Sequence, residues 1–498
     1  MVRRMAILAF ATAIASFSGC GSSSSFVPTT PVPAMPTLVR RSSGSNTLAA
    51  QLSNTPSVYH AYLPDGAIAG NTIVAAFQYD NTYTPTPSFS DDKSNTWHIG
   101  CTEPDTTHSQ VIGWAYASNV IAGTRAVDLS LAASSAVSFI AVHVLEFANL
   151  GAIDGCSGNF GVSTSVMAKS ITPTSSGDLL LQTMAKDGGD TQSTITAGSQ
   201  SNIAWQLATA DLQDQSAMGV QWGIYSSTSA IMPTMTTGGA TNNDYVSAAI
   251  AFKAASAGGD IGSGIAIRGL LHFSRFGTSF GGGPGYTNPT KVAFPSYGNT
   301  LVVAANGNVG TTAVLSSITD TNGNTWTQTL PASNASGAQA DEFWYCSPCT
   351  TGPSLVLTVS SANGDGNTYN QNLNGYDIAN GASSAFDTYG DATGDQNSYA
   401  GSITGASVTP STANGLVLCE LDNANNTVTG MSGTGFLIDS EWYNNESFDG
   451  PENVDENNGW GHLYNTSASQ VTCIFTYGLH GTDAQTTWAA TAAAFKAR

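Results

Sequence analysis

The sequence predicts an all-β protein built as two tandem antiparallel β-sandwich domains of jelly-roll-like kind, and three observations carry that prediction. Short runs of period-two alternation, broken by Gly, Asn, Ser, Thr and Pro, recur along the chain with no convincing long amphipathic helix between them. The ten residues SFSDDKSNTW at Ser88 to Trp97 return 229 positions later as SITDTNGNTW at Ser317 to Trp326. Only 10% of the residues are charged, 41% are hydrophobic and 53 are glycines, a balance that suits an exported β protein with many turns and argues against a disordered chain.

The first element is a leader. Residues 1–20, MVRRMAILAFATAIASFSGC, place Arg3 and Arg4 before an apolar stretch too short to span a bilayer as a helix, which is the pattern of an export signal. Its end, Phe17-Ser18-Gly19-Cys20, resembles the lipobox of bacterial lipoproteins, although Phe17 stands where that family usually carries Leu. The resemblance implies that Cys20 becomes the lipidated first residue and that the chain is anchored to a membrane. Residues 21–46 begin as a Ser- and Pro-rich stretch, expected to act as a tether. Gly21 is not the Asp that the lipoprotein family associates with retention at the inner membrane, so the resemblance implies the outer membrane, on its periplasmic or surface face.

Six further cysteines fit an oxidising compartment and leave none over: Cys101 and Cys156 in the first half, Cys346, Cys349, Cys419 and Cys473 in the second. Cys346-Ser-Pro-Cys349 has redox or metal spacing, but no βαβ setting surrounds it, and a structural disulfide is the expectation. Cys419 and Cys473 both sit in strand-like runs, which suggests a cross-strand bridge. Without Arg3 and Arg4 the exported chain has 12 bases against 34 acids, a net charge of −22. Such a chain repels phosphate backbones, which excludes nucleic acid as an expected partner.

The first sandwich is expected over residues 47–255, a linker over 256–264 and the second sandwich over 265–498. Gly70-Asn71-Thr72-Ile73-Val74 corresponds to Gly298-Asn299-Thr300-Leu301-Val302, Trp114-Ala115-Tyr116 to Phe343-Trp344-Tyr345, Glu146-Phe147 to Asp377-Ile378, and Ala251-Phe252-Lys253 to Ala494-Phe495-Lys496. The repeat therefore covers whole domains, each large enough to bury its own core and expected to fold without the other. These paired blocks resemble a β-sandwich repeat found in secreted and surface proteins of bacteria, a resemblance that implies the fold and no activity. Within the repeated ten residues, Asp320-Thr321-Asn322-Gly323-Asn324 is expected to be a turn, with Trp326 packed on the sheet. Calcium ligation by alternating oxygens is disfavoured, because the first copy carries Lys93 in register.

Chemistry is sparse. Gly277-Thr278-Ser279-Phe280-Gly281 matches the pattern of a nucleophile elbow but runs into further glycines that cannot continue as a helix. The histidines show no ligand spacing. The distinctive segment is Ile438 to Tyr464, IDSEWYNNESFDGPENVDENNGWGHLY, about eight residues longer than its counterpart in the first half. Asp439, Glu441, Asp449, Glu452 and Asp455 are candidate calcium ligands there, with Trp442, Tyr443 and Trp460 offering flat faces to sugar rings. Glu441 and Glu446 are the alternative acid and base pair of a glycoside hydrolase. A solvated acidic loop is the third reading. The sequence thus leads to a lipid-anchored, non-catalytic binding or adhesion module for a polysaccharide or another surface protein. A carbohydrate-active hydrolase with its site in the second domain, or a purely structural envelope component, are the alternatives.

Overall fold

The computed structural model describes residues 33–46, 57–80, 86–107, 109–132, 140–187, 194–212, 216–238, 244–276, 289–308, 313–333, 339–362, 369–396, 402–424, 428–443, 456–479 and 486–498. Every regular element among them is a strand. Residues 34–498 form one compact body.

The strands fall into four successive units. Unit one holds β1 (Thr37–Asn46), β2 (Ser57–Tyr62), β3 (Thr72–Asp80), β4 (Thr86–Asp91), β5 (His98–Asp105), β6 (Gln110–Ala117), β7 (Ala126–Ala132) and β8 (Ile140–Ala148). Unit two holds β9 (Leu150–Val162), β10 (Ser165–Met167), β11 (Asp178–Asp187), β12 (Thr194–Thr196), β13 (Gln206–Leu212), β14 (Ser216–Tyr225), β15 (Thr234–Gly238) and β16 (Asp244–Ala254). Unit three holds β17 (Ala266–Phe276), β18 (Thr290–Ala293), β19 (Thr300–Asn308), β20 (Leu315–Asp320), β21 (Thr327–Gln328), β22 (Ala332–Ser333), β23 (Gln339–Cys346), β24 (Val356–Ser361) and β25 (Tyr369–Ala379). Unit four holds β26 (Gly381–Gln396), β27 (Ser402–Val408), β28 (Gly415–Ala424), β29 (Val428–Thr434), β30 (Leu437–Tyr443), β31 (Glu456–Asn465), β32 (Val471–Leu479) and β33 (Thr486–Ala497).

Each unit repeats one connectivity. In unit one, β1-β8-β3-β6-β5 faces β2-β7-β4; in unit two, β9-β16-β11-β14-β13 faces β10-β15-β12. Unit three runs β17-β25-β19-β23-β21 against β18-β24-β20, and unit four β26-β33-β28-β31-β30 against β27-β32-β29. A first strand beside the last, followed by the third and then the third from last, is jelly-roll order with the fifth strand moved to the edge of the larger sheet, and unit three keeps this order with β22 added beside β23. The repeat read from the sequence is therefore doubled: each half is itself a pair of related sandwiches.

The halves are not independent bodies. β1 pairs in parallel with β17, from Arg41 beside Gly269 to Ser43 beside Leu271, and so fuses the larger sheets of units one and three into one eleven-stranded sheet. The residues 37–46, expected to belong to a tether, form this central strand. Their pattern, TLVRRSSGSN, hides the strand because its buried positions are polar and are matched by specific partners. Arg40 meets Glu146 at 2.9 Å, and Arg41, pointing to the other face, meets Asp377 at 2.9 Å. Glu146 and Asp377 are equivalent residues of the two halves, so consecutive arginines of one strand serve one acid in each half.

Both faces of the central sheet are covered. In the first half, Ile73, Ala75, Phe77, Val142 and Val144 pack against Val127, Leu129 and Leu131 of β7. Val74, Ala76, Trp114, Leu145 and Phe147 pack on the other face against Leu179, Leu181, Val220 and Ile250 of unit two. The second half repeats this with β24 on one face and unit four on the other. Ser42 stands opposite Val144 and beside Leu270. Val144 faces β7 whereas Leu270 faces β28, so the covering layers exchange sides at the seam. The small sheet of unit one thereby comes to lie next to unit four.

Three cysteine pairs stand at disulfide distance: Cys101 with Cys156, Cys346 with Cys349, and Cys419 with Cys473. Cys419 on β28 and Cys473 on β32 belong to facing sheets, so this bridge is a staple between layers and not a link between neighbouring strands.

Candidate functional site

Four copies of one unit allow each interior position to be compared with its siblings. In unit two, Thr183 pairs with Val220 and Ala185 with Met218; in unit four the same rungs are Glu420 with Trp460 and Asp422 with Asn458. Across the layer, Gln78 pairs with Ile112 in unit one and Asn306 with Asp341 in unit three. All of these side chains are buried. At these rungs the first half places Gln78, Ile112, Thr183, Ala185, Met218 and Val220, with Asp211 buried beside Met218, and the second half places Asn306, Asp341, Glu420, Asp422, Asn458 and Trp460, so that one buried carboxylic acid in the first half stands against three in the second.

Glu420 accepts the indole N–H of Trp460 at 2.9 Å and the hydroxyl of Thr491 at 3.2 Å. The backbone N–H of Asp422 donates to Asp341 Oδ2 at 3.2 Å, while Asp341 Oδ1 has no hydrogen-bond partner among the described residues. Burial pushes the Asp341 carboxyl well above the usual carboxylate range, reinforced by the charges of Glu420 and Asp422. Burial raises Glu420 in the same way, against the opposing bonds from Trp460 and Thr491, and pushes Asp422 up to about 8. Desolvation is the largest cause of each of these shifts, and it favours the protonated form of each acid. The cluster occupies the end of the sandwich where β30 finishes at Tyr443 and β31 begins at Glu456.

A second polar group closes the opposite end, at the contact with unit one. His462 lies between two acids: its Nδ1 is 2.7 Å from Asp439 Oδ1 and its Nε2 is 2.8 Å from Asp65 Oδ1. Tyr464 donates to Asp65 Oδ2 at 2.7 Å. Arg125 of unit one meets Asp439 at 2.9 Å and also donates to the carbonyl of Ile438. Burial alone would depress the imidazole, but Asp439 and Asp65 hold it protonated, with a pKa raised to about 9. Burial also works against Asp65, yet the bonds from His462 and Tyr464 keep its carboxyl below its ordinary value. The turn at Asp65, with φ of +63°, aims that side chain across the layer.

Two residues expected in a ligand site are thereby accounted for otherwise. Trp460 is fully buried against Glu420 and offers no face to a sugar, because it alternates in phase with Asn458, His462 and Tyr464 toward the interior. Asp439 is buried and engaged by His462 and Arg125, which leaves it unfit as a calcium ligand. Glu441, Trp442 and Tyr443 lie on β30, with side chains outside the described residues; Glu446, Asp449, Glu452 and Asp455 lie outside them altogether, as does Gly277 to Gly281. Among the described residues no three His, Cys, Asp or Glu side chains are arranged to hold a metal ion.

The buried acids were missed by sequence reasoning because GLVLCELDN reads as an ordinary strand; their signal lies in comparing Glu420 and Asp422 with Thr183 and Ala185 at the same rungs. No family model matches the chain, and no curated protein matches it.

Proposed function

We propose that the protein is an exported, envelope-anchored module that binds its ligand without transforming it, with the binding end in unit four. The observation that supports this most directly is the gathering of three buried acids, Asp341, Glu420 and Asp422, at one end of a scaffold whose other half carries Ile112, Thr183 and Ala185 at the same positions, with Asp211 the one buried acid beside them. Burying carboxylic acids costs stability, and sequences that depart from their own folding rules do so at functional sites. The acidic insertion joins β30, which carries Trp442 and Tyr443, to β31. Aromatic and carboxylate side chains together suit a polysaccharide or glycosylated surface, with calcium as the bridging cation. The leader, the resemblance of its end to a lipobox at Cys20 and the three cysteine pairs support the outer membrane as its location.

A hydrolase is the second reading, favoured by the raised pKa values of Asp341, Glu420 and Asp422, since a general acid needs one. Their complete enclosure argues against it, because no substrate reaches them. A glycan array probed with residues 21–498, with and without calcium, separates the readings. Binding lost in a Trp442→Ala, Tyr443→Ala variant supports the binding module, release of shortened glycans supports the hydrolase, and no binding under any condition overturns both in favour of a structural envelope role.

A further inference from the structure

The loops that follow β6 and β23 are sister loops of the two halves, and the second of them carries a cysteine pair that the first lacks. Ala117 pairs with Ile73 on the rung where Cys346 pairs with Leu301, and three residues further on Val120 corresponds to Cys349. Both loops are held in the same way. Val120 N–H donates to the carbonyl of Asn71 at 2.9 Å, and Cys349 N–H to that of Asn299 at 3.0 Å. The next residue, Ile121 or Thr350, donates its N–H to the side-chain oxygen of Asn95 or Asn324. Further bonds clamp the cysteine loop, since the Ser347 hydroxyl accepts the N–H of Ala385 and Thr351 donates to the carbonyl of Gly298. The copies differ at Asn119, with φ of +53°, where the second half has Pro348 after a cis peptide bond. Ala117 and Val120 pack as apolar residues in the core of unit one, so the fold sets this loop without a sulfur–sulfur bond.

Cys101–Cys156 and Cys419–Cys473 each tie two different sheets over sequence separations of 55 and 54, and they constrain the unfolded chain strongly. Cys346–Cys349 has a separation of 3 and constrains it little. By linkage, a bridge that contributes little to folding is held closed little by folding, whereas a bridge that stabilises the fold resists reduction by the same free energy. We infer that Cys346–Cys349 is a thiol–disulfide exchange site whose co-substrate is a dithiol. Cys346 is buried, whereas Cys349 is partly exposed beside the exposed Pro348, so attack falls on Cys349. One thiolate of the dithiol bonds to Cys349 Sγ, the bond to Cys346 breaks, and Cys346 leaves as a thiolate that takes up a proton. The second thiol of the dithiol gives up its proton and attacks its partner sulfur in the mixed disulfide, releasing Cys349 as a thiolate that is protonated in turn. The chain's disulfide is reduced by two electrons and the dithiol is oxidised to a disulfide. The bonds that clamp the loop keep the reduced cysteines together, with Cα atoms 5.6 Å apart in the closed pair, so an oxidised partner closes the bridge again.

Equilibration of residues 21–498 in glutathione buffers of graded reduced-to-oxidised ratio, two glutathione molecules standing in for the dithiol, tests this. Acid quenching, alkylation and peptide mass spectrometry then report each cysteine. Cys346 and Cys349 are expected to open at a ratio about tenfold or more below that needed by either other pair, with the tryptophan fluorescence of the folded chain retained. Return to oxidised glutathione should close the bridge again. A Cys346→Ala, Cys349→Val variant installs the residues of the first half and should keep a denaturant midpoint close to that of the unaltered chain, whereas Cys419→Ala, Cys473→Ala should lower it. A Cys346–Cys349 bridge that opens no earlier than either of the others, or only as the chain unfolds, overturns the inference. So does a Cys346→Ala, Cys349→Val variant destabilised as much as Cys419→Ala, Cys473→Ala, since the bridge would then be a staple.

Discussion

Asp320 Oδ2 accepts the indole N–H of Trp326 at 2.7 Å, and 229 residues earlier Asp91 Oδ2 accepts that of Trp97 at the same 2.7 Å. The other carboxylate oxygen of each aspartate takes two backbone N–H groups, from Asn322 and Asn324 in one copy and from Lys93 and Asn95 in the other. The amide side chain within each turn then clamps the loop that follows β23 or β6: Asn324 holds Thr350, and Asn95 holds Ile121 and Thr124. The repeated ten residues are thus a folding device that fixes a turn, orients a tryptophan and pins a neighbouring loop. Unit two keeps a version of it, in which Trp205 donates to Gln200.

Replacing Asp320 by Ala removes all of these acceptors at once and is expected to cost about 2 kcal/mol, with Asn recovering part of it. Because these bonds hold the Asp320 carboxyl below its ordinary value, its contribution is present above the unfolded-state value near 4 and fades as pH falls through the folded one. Urea unfolding of D320A and the unaltered chain at pH 3 and pH 7 should therefore show the deficit at pH 7 and a smaller one at pH 3. Chelation of calcium should leave this transition unmoved.

Asp422 behaves in the opposite sense. Its folded-state pKa of about 8 lies above the unfolded value near 4, so its folded form holds the proton more tightly. Its stabilising protonation is complete below pH 4 and is lost progressively as pH rises toward 8. Asp422→Asn is expected to be increasingly more stable than the unaltered chain between pH 5 and pH 8, by on the order of a few kcal/mol at the upper end. Denaturant midpoints across that window check the sign.

His462 joins the halves electrostatically. With a folded pKa of about 9 against 6.5 unfolded, its contribution is full below pH 6.5 and disappears as pH rises through 9. His462→Gln leaves Asp439 and Asp65 short of a cation and should cost ~3–5 kcal/mol at neutral pH. The deficit relative to the unaltered chain should shrink by pH 10, which thermal unfolding at the two pH values measures.

Much of this fold was legible in the sequence, and the limits have physical causes. The two halves announce themselves because whole blocks such as GNT-(Ile/Leu)-Val recur at a nearly constant offset. The second level of repetition is hidden, since TIVAAFQYD of β3 and DLLLQTMAKD of β11 share a pattern of burial and little identity. β1 escaped because Arg40, Arg41, Ser42 and Ser43 are buried polar residues whose partners are far away in sequence. Trp460 drew a ligand role from its acidic neighbours, although strand alternation places it with His462. The partnership of Asp439 with Arg125, 314 residues apart, leaves no local trace.

The expectation that each half folds alone gives way to a different prediction. Separating residues 33–262 from 263–498 exposes the edges of β1 and β17 and leaves Arg41 and Asp377, both buried, without each other. Each half expressed alone should aggregate or unfold with low cooperativity, and co-expression should restore one complex. Size-exclusion chromatography with circular dichroism of the separate and combined halves decides this.

The central claim is that Asp341, Glu420 and Asp422 are retained for function at the expense of stability. The direct measurement is the denaturant unfolding free energy of a triple variant, Asp341→Ile, Glu420→Thr and Asp422→Ala, which gives unit four and its partner layer the residues used in the first half. The account predicts a gain of ~1–4 kcal/mol at pH 7, as replacing buried ionisable groups by apolar ones commonly yields. A variant less stable than the unaltered chain would show that these acids hold the sandwich together and would remove the basis for a binding end in unit four.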